Sequence, residues 1–394
     1  MKIDRKQLAF WLLLTSVTVI ACELSARLVF AVLVGPKVLL YGTGIYRTDV
    51  KRFPSVIMAK VGYTPPTPEG YQIPIPGNAY TKFSPNEVKS DKDENGKRFH
   101  PTINSRGFRG TEFSDRKKSG VIRVVTLGAS STFGYHNRDD ETYPYYMEAL
   151  LNAVSNGNKT FEVINLGMPH MDSEQILSIF VNEALPLQPD VVTFYEGWND
   201  ATKAADALGK ERGSLRREGF TSVIRNSYAG IRDYSLMTAL FDSLLYYVGD
   251  SDVVDEDLQH LIEKTSLGFL GNISSMNEVC RRKNILFILA NQQSRSQLIE
   301  REHVRGITFQ QEVEVIRDKL RNKGRLARRE AAFLVHSSIM QALEQWSEIN
   351  KVPLVNVIHA LDADRSVLLT YVHPNPKANR VIAQEFVKEI SKHL

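Results

Sequence analysis

Beyond residue 117, short apolar runs alternate with helix-like segments, and this alternation limits the fold more than any other feature of the sequence. Strand-like runs cover residues 121–127, 161–166, 190–195, 285–290 and 352–358. Helical patterns cover residues 143–154, 173–184, a segment ending near residue 282, and residues 332–349 and 377–393. Apolar runs of this length are typical of strands buried on both faces of a parallel sheet. The sequence therefore predicts an α/β fold, a three-layer α/β/α domain whose parallel sheet is covered by helices on both sides.

The composition excludes several other classes of protein. The chain has 394 residues, of which 43% are hydrophobic and 24% are charged, and these values rule out a mostly disordered or fibrous protein. Its formal net charge of +4 is too small for a dedicated nucleic-acid-binding protein. The only cysteines, Cys22 and Cys280, exclude a disulfide-rich scaffold and a cysteine-based zinc site. Because the sequence has neither a His/Cys cluster nor a glycine-rich phosphate loop, we expect no metal and no cofactor.

The N-terminus has the features of a membrane anchor. Basic residues at positions 2, 5 and 6 precede residues 7–22, which carry no charge. As a helix, residues 8–34 would rise about 40 Å, more than the roughly 30 Å needed to cross the hydrocarbon core of a bilayer. The basic flank predicts a cytoplasmic N-terminus over residues 1–7, a transmembrane helix over residues 8–34, and an extracytoplasmic (periplasmic) remainder. A cleaved signal peptide and a lipoprotein signal with Cys22 as the lipidated residue are the alternatives.

Residues 35–115 lack the regular pattern of the later sequence. Prolines at positions 54, 65, 66, 68, 74 and 76 break any long helix, and residues 89–98 form a charged segment. We interpret residues 35–115 as an extended linker with a few short strands. Residues 116–394 then form the α/β domain.

Reactive residue types lie in four loops of the predicted α/β domain. In an open parallel sheet, functional loops lie at the carboxyl ends of the strands. Loops of this kind hold Ser130, Gly167, Asn199 and His373. A serine that attacks, a histidine that takes its proton, and amides that bind an oxyanion are the parts that acyl transfer needs. The sequence therefore predicts an acyl-transfer site at this edge of the sheet.

The same four segments resemble the signature blocks of the SGNH (GDSL-type) hydrolases and occur in that family's order. They are Gly128-Ala129-Ser130 with Thr132-Phe133-Gly134, then Gly167, then Gly197-Trp198-Asn199-Asp200, and last His373-Pro374. Residues 104–110, Asn-Ser-Arg-Gly-Phe-Arg-Gly, also look like a segment of membrane-anchored bacterial members. The resemblance covers roughly residues 100–394. It implies an SGNH hydrolase-like, flavodoxin-like fold and a mechanism that needs no metal.

The resemblance also implies a role for each residue. Ser130 would be the nucleophile and His373 the general base. The oxyanion would be held by the backbone N–H groups of Ser130 and Gly167 and by the side-chain amide of Asn199. His136, which closely follows the first block, is a rival base, and a surface-loop histidine is its alternative interpretation.

One position departs from the family's pattern. An aspartate normally stands three residues before the histidine, where it fixes the imidazole tautomer, and here that position is Thr370. A backbone carbonyl or the Thr370 hydroxyl would orient His373, or Asp362 or Asp364 would reach it from the preceding loop. A third interpretation is a site that has lost much of its hydrolytic activity.

These observations predict a membrane-anchored serine esterase that hydrolyses ester bonds through a Ser–His pair. We expect an ester-bearing substrate, such as an O-acetylated glycan of the cell envelope or a secreted one. One alternative is an O-acyltransferase of polysaccharide modification. The other is a non-catalytic glycan-binding protein that keeps the fold.

A basic stretch interrupts the otherwise balanced charge of the chain. Its residues are Arg317, Lys319, Arg321, Lys323, Arg325, Arg328 and Arg329, and Asp318 is the only acid among them. A solvated helix face is one interpretation. A contact with anionic lipid headgroups or an acidic polysaccharide is the other.

Overall fold

A computed structural model describes residues 5–34, 73–74, 80–155, 157, 159–217, 253–296 and 299–393. The chain divides into two compact units, one of Met1–Thr67 with Glu211–Ser251 and one of Pro68–Lys210 with Asp252–Leu394. In the first unit, helix α1 spans Arg5–Val34. Among the described residues, no helix is both long enough and apolar enough to cross a membrane, so the predicted span over residues 8–34 is not confirmed.

The second unit is built on a five-stranded parallel sheet. Its strands are β5 (Val121–Gly128), β6 (Thr160–Asn165), β7 (Val191–Tyr195), β9 (Leu286–Asn291) and β11 (Leu354–Asn356). They lie in the order β11-β9-β7-β5-β6, and every neighbouring pair is parallel. This is the doubly wound order in which the chain leaves β5 first to one side and then to the other. The predicted α/β fold with a central parallel sheet is confirmed.

Helices cover both faces of this sheet. They are α2 (Ser130–Phe133), α3 (Tyr143–Ser155), α4 (Ser173–Ile179), α5 (Trp198–Arg217), α6 (Asp255–Lys283), α7 (Phe309–Lys323), α8 (Arg328–Asn350), α9 (Val357–Leu361) and α10 (Pro376–Ser391). Successive strand residues point to opposite faces, so Val124 packs with α3 and α10 while Val125 packs with α4, α6 and α8. The strands therefore carry apolar residues on both faces, interrupted by residues such as Arg123 and Glu162, and these short apolar runs made the strands predictable.

The last strand is shorter than predicted. Residues 352–358 were expected to form it, but β11 ends at Asn356. The Asn356 side chain accepts a hydrogen bond from the His359 N–H at 2.9 Å and begins α9. An asparagine that caps a helix in this way ends the strand before it.

Three pairs of short antiparallel strands lie outside the parallel sheet. Two pairs precede it in the sequence, β1 (Ile73–Pro74) with β2 (Thr81–Lys82) and β3 (Asp91–Lys92) with β4 (Arg98–Phe99). The third pair, β8 (Val253–Val254) with β10 (Arg325–Leu326), lies later in the sequence. Phe83 and Phe108 belong to the same core as Phe133, and the Phe83 and Phe133 ring centroids lie 5.4 Å apart. The predicted boundary at residue 116 therefore lies too late in the chain, because residues 80–115 pack into the α/β unit. Residues 35–72 and 75–79 of the predicted linker lie outside the described residues.

Candidate active site

Ser130 and His373 meet at the carboxyl edge of the sheet. Ser130 is the first residue of α2, directly beyond β5. His373 lies before α10, in a loop closed by a hydrogen bond from the Leu369 N–H to the His373 carbonyl oxygen at 2.7 Å. The Ser130 Oγ and the His373 Nε2 are 2.7 Å apart. This distance lets the imidazole take the hydroxyl proton directly.

Thr370 orients the imidazole of His373. The Thr370 Oγ1 lies 2.7 Å from the His373 Nδ1. If Nε2 is to accept the Ser130 proton, Nδ1 must carry the ring proton and donate it to the threonine hydroxyl. Thr370 thus occupies the place of the acid in a catalytic triad, but it brings no negative charge.

The environment of His373 keeps its ring neutral. The side chain is buried, and its ring meets the rings of Tyr135 and His136 edge-on at 5.4 Å and 5.6 Å. Burial, reinforced by the neighbouring His136 and His170, lowers the pKa of His373 to about 3. A neutral imidazole is the form that accepts a proton from serine.

Neither of the two aspartates predicted to reach His373 does so. The Asp362 Oδ1 accepts the Phe309 N–H at 2.6 Å. Asp364 accepts the Ser366 hydroxyl at 2.5 Å and pairs with Arg305 at 3.4 Å. Phe309 begins α7, and Ser366 lies in the same loop as Asp364, so both carboxylates have partners other than His373. Of the three predicted orienting residues, only Thr370 contacts the imidazole.

The three predicted oxyanion donors are placed differently from one another. The Ser130 N–H is the first amide of α2, and the first amides of a helix have no partner within it. The Asn199 Nδ2 donates one proton to the Met171 carbonyl oxygen at 2.9 Å, and an amide nitrogen has a second proton to give. The Gly167 N–H donates to the Asn165 Oδ1 at 2.8 Å, so it must turn from Asn165 or share its proton to bind an oxyanion.

Asn165 holds the second loop against α2. Its Nδ2 donates to the Thr132 carbonyl oxygen at 2.9 Å while its Oδ1 accepts the Gly167 N–H. A Cβ at position 167 would lie only 2.4 Å from the Phe133 backbone nitrogen. Position 167 therefore requires glycine because of close packing, a reason that the sequence pattern did not reveal.

Two buried carboxyl groups fix the third loop. The Asn199 N–H donates to the Glu196 Oε1 at 2.8 Å, and burial raises the pKa of Glu196 to about 8. Asp200 accepts the Ser173 N–H at 2.9 Å and the Ser173 hydroxyl at 2.6 Å, and burial raises the pKa of Asp200 to about 6. These contacts give Asp200 a supporting place in the loop, and the sequence analysis did not single out Glu196.

His136 is not in contact with the Ser130 hydroxyl, and 26% of its side chain is exposed in the loop after α2. The His373 ring, not the His136 ring, contacts the Ser130 hydroxyl. His136 instead packs against His373 and pairs with Asp91, whose carboxylate lies 3.3 Å from the His136 Nδ1. Sequence reasoning missed Asp91 because it lies in the segment interpreted as a linker.

Carboxylates among the described residues pair with three of the seven basic residues of the stretch. Lys319 pairs with Glu330 at 2.5 Å, Arg328 pairs with Asp206 at 3.2 Å, and Arg321 pairs with Asp318. Glu330 and Asp206 lie outside residues 317–329, so counting charges within the stretch overlooked them. The predicted contact with an anionic surface gains no support from this arrangement.

Among the described residues, no group of three or more His, Cys, Asp or Glu side chains is arranged to hold a metal ion. No protein-family model and no curated protein matches the sequence.

The chain is similar to several solved structures. One is a lipolytic protein of the G-D-S-L family from Desulfitobacterium hafniense, at 15% identity and a TM-score of 0.38, over 68% of this chain and 98% of that one. A lipase/acylhydrolase from Enterococcus faecalis matches at 15% identity and a TM-score of 0.39, over 69% and 97%. An acetyl xylan esterase matches at 13% identity and a TM-score of 0.37, over 69% and 100%.

One of these structures belongs to the G-D-S-L family, which the four sequence segments resemble. At such low identity and TM-score, they do not assign a reaction or a residue role to this chain. The roles of Ser130, His373, Gly167 and Asn199 stay predictions, and the contact between the Ser130 Oγ and the His373 Nε2 supports the first two.

Proposed function

We propose that the protein is a serine esterase of SGNH type. The observation that carries the proposal is the continuous contact from the Ser130 Oγ to the His373 Nε2 and from the His373 Nδ1 to the Thr370 Oγ1, each 2.7 Å long. Nucleophile, base and orienting group in hydrogen-bond contact are the arrangement that covalent acyl transfer requires.

The proposed reaction uses these atoms in order. The Ser130 Oγ attacks the ester carbonyl carbon and its proton passes to the His373 Nε2. The Ser130 N–H and the Asn199 Nδ2 bind the negative oxygen, and the Gly167 N–H joins them once it turns from Asn165. The alcohol then leaves with a proton from a protonated imidazole of the site. Water attacks the acyl group and gives a proton to that imidazole, and the Ser130 oxygen regains its proton as the acid is released.

We propose a short acyl group, such as acetyl, carried by a glycan. Ser130 and His373 are only 9% and 8% exposed, which favours a small acyl group at the serine. The proposal of a glycan rests on the predicted membrane tether, which would bring the site close to an envelope or secreted glycan.

Labelling with a fluorophosphonate probe tests the nucleophile. We expect the wild-type protein to label and Ser130→Ala not to label. Ser131→Ala is the matched control, because the Ser131 hydroxyl bonds the Val372 carbonyl oxygen instead of His373, and it should still label. Equal labelling of Ser130→Ala, or none of the wild type, would contradict the proposal and favour a non-catalytic glycan-binding protein.

Hydrolysis and transfer differ only in the group that attacks the acyl-enzyme. An acetylated glycan is incubated with the protein, with and without an acceptor sugar, and free acetate and acetylated acceptor are measured. An esterase releases acetate at the same rate in both reactions. Acetylated acceptor formed at the expense of acetate would identify an acyltransferase.

We also propose that α1 attaches the enzyme to the cell membrane, with its domain outside the cytoplasm. The support is the uncharged sequence of residues 7–22 after a basic start, together with exposed apolar side chains such as Trp11, Val19 and Leu28. The full chain should stay with membranes after an alkaline wash, and a variant lacking residues 1–36 should not. Protease added to intact spheroplasts should digest the domain, and protection of the domain would contradict the proposed side.

A further inference from the structure

A second histidine stands beside the proposed base. The rings of His136 and His373 meet nearly at right angles, at 70°, with centroids 5.6 Å apart. Because the His373 Nε2 contacts the Ser130 Oγ, an ester bound at the serine lies in the neighbourhood of both rings. His136 lies in the loop that follows α2, the helix that begins with Ser130.

Asp91 fixes the orientation and the tautomer of His136. Its Oδ1 lies 3.3 Å from the His136 Nδ1, and its Oδ2 accepts the His136 backbone N–H at 2.9 Å. The Lys92 carbonyl oxygen also faces Nδ1, at 3.2 Å. Both partners of Nδ1 only accept hydrogen bonds, so Nδ1 carries a proton and the exchangeable position of His136 is Nε2.

The β3–β4 hairpin that carries Asp91 is fastened to both sides of the site. The Arg138 Nη2 donates to the Asp93 carboxylate at 2.7 Å, close after His136. The Asn375 Nδ2 donates to the Glu94 carboxylate at 3.3 Å, close after His373. These two contacts therefore attach the hairpin, and with it Asp91, to the segment after α2 and to the segment after His373.

The backbone of His136 is also unusual. Its φ is +65°, a left-handed conformation that costs a non-glycine residue free energy. A glycine would adopt this conformation freely, so the backbone alone gives no reason for a histidine at this position.

We propose that His136, oriented by Asp91, is a second acid–base residue that serves the alcohol side of the ester. The proposal rests on Ser130 as the nucleophile. His373 exchanges the proton of Ser130, while the His136 Nε2 exchanges the proton of the leaving or attacking hydroxyl.

The proposed cycle balances without any other reactant. In acylation, the C–O bond forms at Ser130, whose proton goes to His373, and the leaving oxygen takes a proton from the His136 imidazolium. In deacylation, the attacking hydroxyl gives its proton to His136, and His373 returns its proton to the Ser130 oxygen. Both histidines then have their starting protonation.

The pKa shifts of the two histidines agree with these separate roles. Burial alone would lower the pKa of His136, but the hydrogen bond and the charge of Asp91 outweigh burial and raise it above its ordinary value. The His373 Nδ1 faces the neutral Thr370 hydroxyl, and burial lowers the pKa of His373, so this ring is the unprotonated one at the start of the cycle. One ring thus begins as the acid and the other as the base.

Two esters with different leaving groups test the proposal. The para-nitrophenolate of para-nitrophenyl acetate leaves without a proton, whereas the alkoxide of an acetylated methyl glycoside needs one. We expect His136→Gly to lower kcat/KM on the glycoside acetate by about 10²-fold, the typical effect of an acid–base group, and to leave kcat/KM on the aryl ester, which reports acylation alone, nearly unchanged. Because both esters form the same acetyl-enzyme, kcat on the aryl ester should fall with deacylation. Added imidazole should restore kcat/KM on the glycoside acetate.

The remaining variants separate chemistry from structure. Asp91→Asn should lose activity on the glycoside acetate selectively, because it frees the His136 ring. His100→Gln is the control, since the His100 Nδ1 contacts only the Lys89 carbonyl oxygen of the same hairpin region, at 2.6 Å, and both rates should persist.

If His136→Gly lowered kcat/KM equally on both esters, or lowered it on neither, the proposal would be overturned. Fluorophosphonate labelling is measured in parallel on each variant. Labelled His136→Gly with equal ester losses rejects only the role of His136, whereas an unlabelled wild type rejects the proposed function itself.

Discussion

Thr370 decides how much help the imidazole of His373 receives. An aspartate at this position would stabilise the imidazolium that forms when serine loses its proton, whereas a hydroxyl only orients the ring. The threonine hydroxyl lies at the distance of a strong hydrogen bond, 2.7 Å from Nδ1. The site is thus oriented like a triad but lacks its charge.

Substitutions of Thr370 separate orientation from charge. We expect Thr370→Val to lower kcat for para-nitrophenyl acetate by about 10²-fold, because it leaves Nδ1 without an acceptor. Thr370→Asp should raise kcat about tenfold if a carboxylate stabilises the imidazolium by about 1.4 kcal/mol. Steady-state kinetics of the three proteins measure both effects. Unchanged kcat in Thr370→Val would show that another group orients His373.

The low pKa of His373 predicts an unusual pH profile. A base works only when unprotonated, and burial with the neighbouring histidines lowers its pKa to about 3, below the ordinary 6.5. We therefore expect kcat/KM for the aryl ester to hold as pH falls below 6.5, as far as the protein stays folded. Thr370→Asp should move the acid limb to higher pH. A wild-type limb near pH 6.5 would contradict the lowered pKa.

At the scale of elements, the close approach of the Gly167 loop to α2 is the most demanding contact. An alanine Cβ at position 167 would lie 2.4 Å from the Phe133 nitrogen and 2.7 Å from the Thr132 carbonyl carbon. Both are backbone atoms, so α2 itself would have to shift. Because Ser130 begins α2, this shift would also move the nucleophile.

Gly167→Ala should therefore lower both stability and labelling. We expect a loss of about 1–3 kcal/mol in the free energy of unfolding, measured with urea, and slower fluorophosphonate labelling. Gly271→Ala is the matched control, because a Cβ there meets nothing within 4 Å and lies in α6. That control should gain about 0.5–1 kcal/mol. Equal urea midpoints for Gly167→Ala and wild type would show that the loop accommodates the added methyl group without loss of stability.

The elements that were predictable are those whose signal is local. Val124 and Val125 face opposite layers, so β5 has apolar residues on both faces, interrupted by polar residues such as Arg123, and the other strands carry similar short apolar runs. The hairpin bearing Asp91 has strands of two residues and no periodicity to find. Its contact with His136 joins residues 45 positions apart, which no local pattern encodes.

The site follows the same division. Ser130 and His373 lie in recognisable segments at strand ends, but the choice of Thr370 over Asp362 depends on the fold of their loop. Asp362 has its partner on α7, at Phe309, which comes from a distant part of the sequence. Burial cannot be predicted from the sequence either. The pKa of Glu196 is raised because the folded protein encloses its side chain.

Across the whole molecule, buried neutral histidines tie stability to pH. The His336 ring on α8 is fully buried, its Nδ1 lies 2.9 Å from the Ser294 Oγ, and burial lowers the pKa of His336 to about 3. An unfolded histidine titrates near 6.5. Between these two pH values the unfolded chain binds more protons than the folded one, so stability falls as the pH falls through this window. Glu196, whose pKa burial raises to about 8, acts in the opposite direction, losing stability as pH rises.

His336→Gln should make the protein less sensitive to acid. The wild-type free energy of unfolding should include a loss of about 1.4 kcal/mol per pH unit from His336 between about pH 6 and pH 4, and the variant should lack it. Urea unfolding at several pH values measures the two slopes, and their difference cancels the contributions of Glu196 and the other groups. His303→Gln, which removes an imidazole with 74% of its side chain exposed, should keep the wild-type slope. If His336→Gln kept that slope as well, His336 would have to be protonated in the folded protein, against its burial.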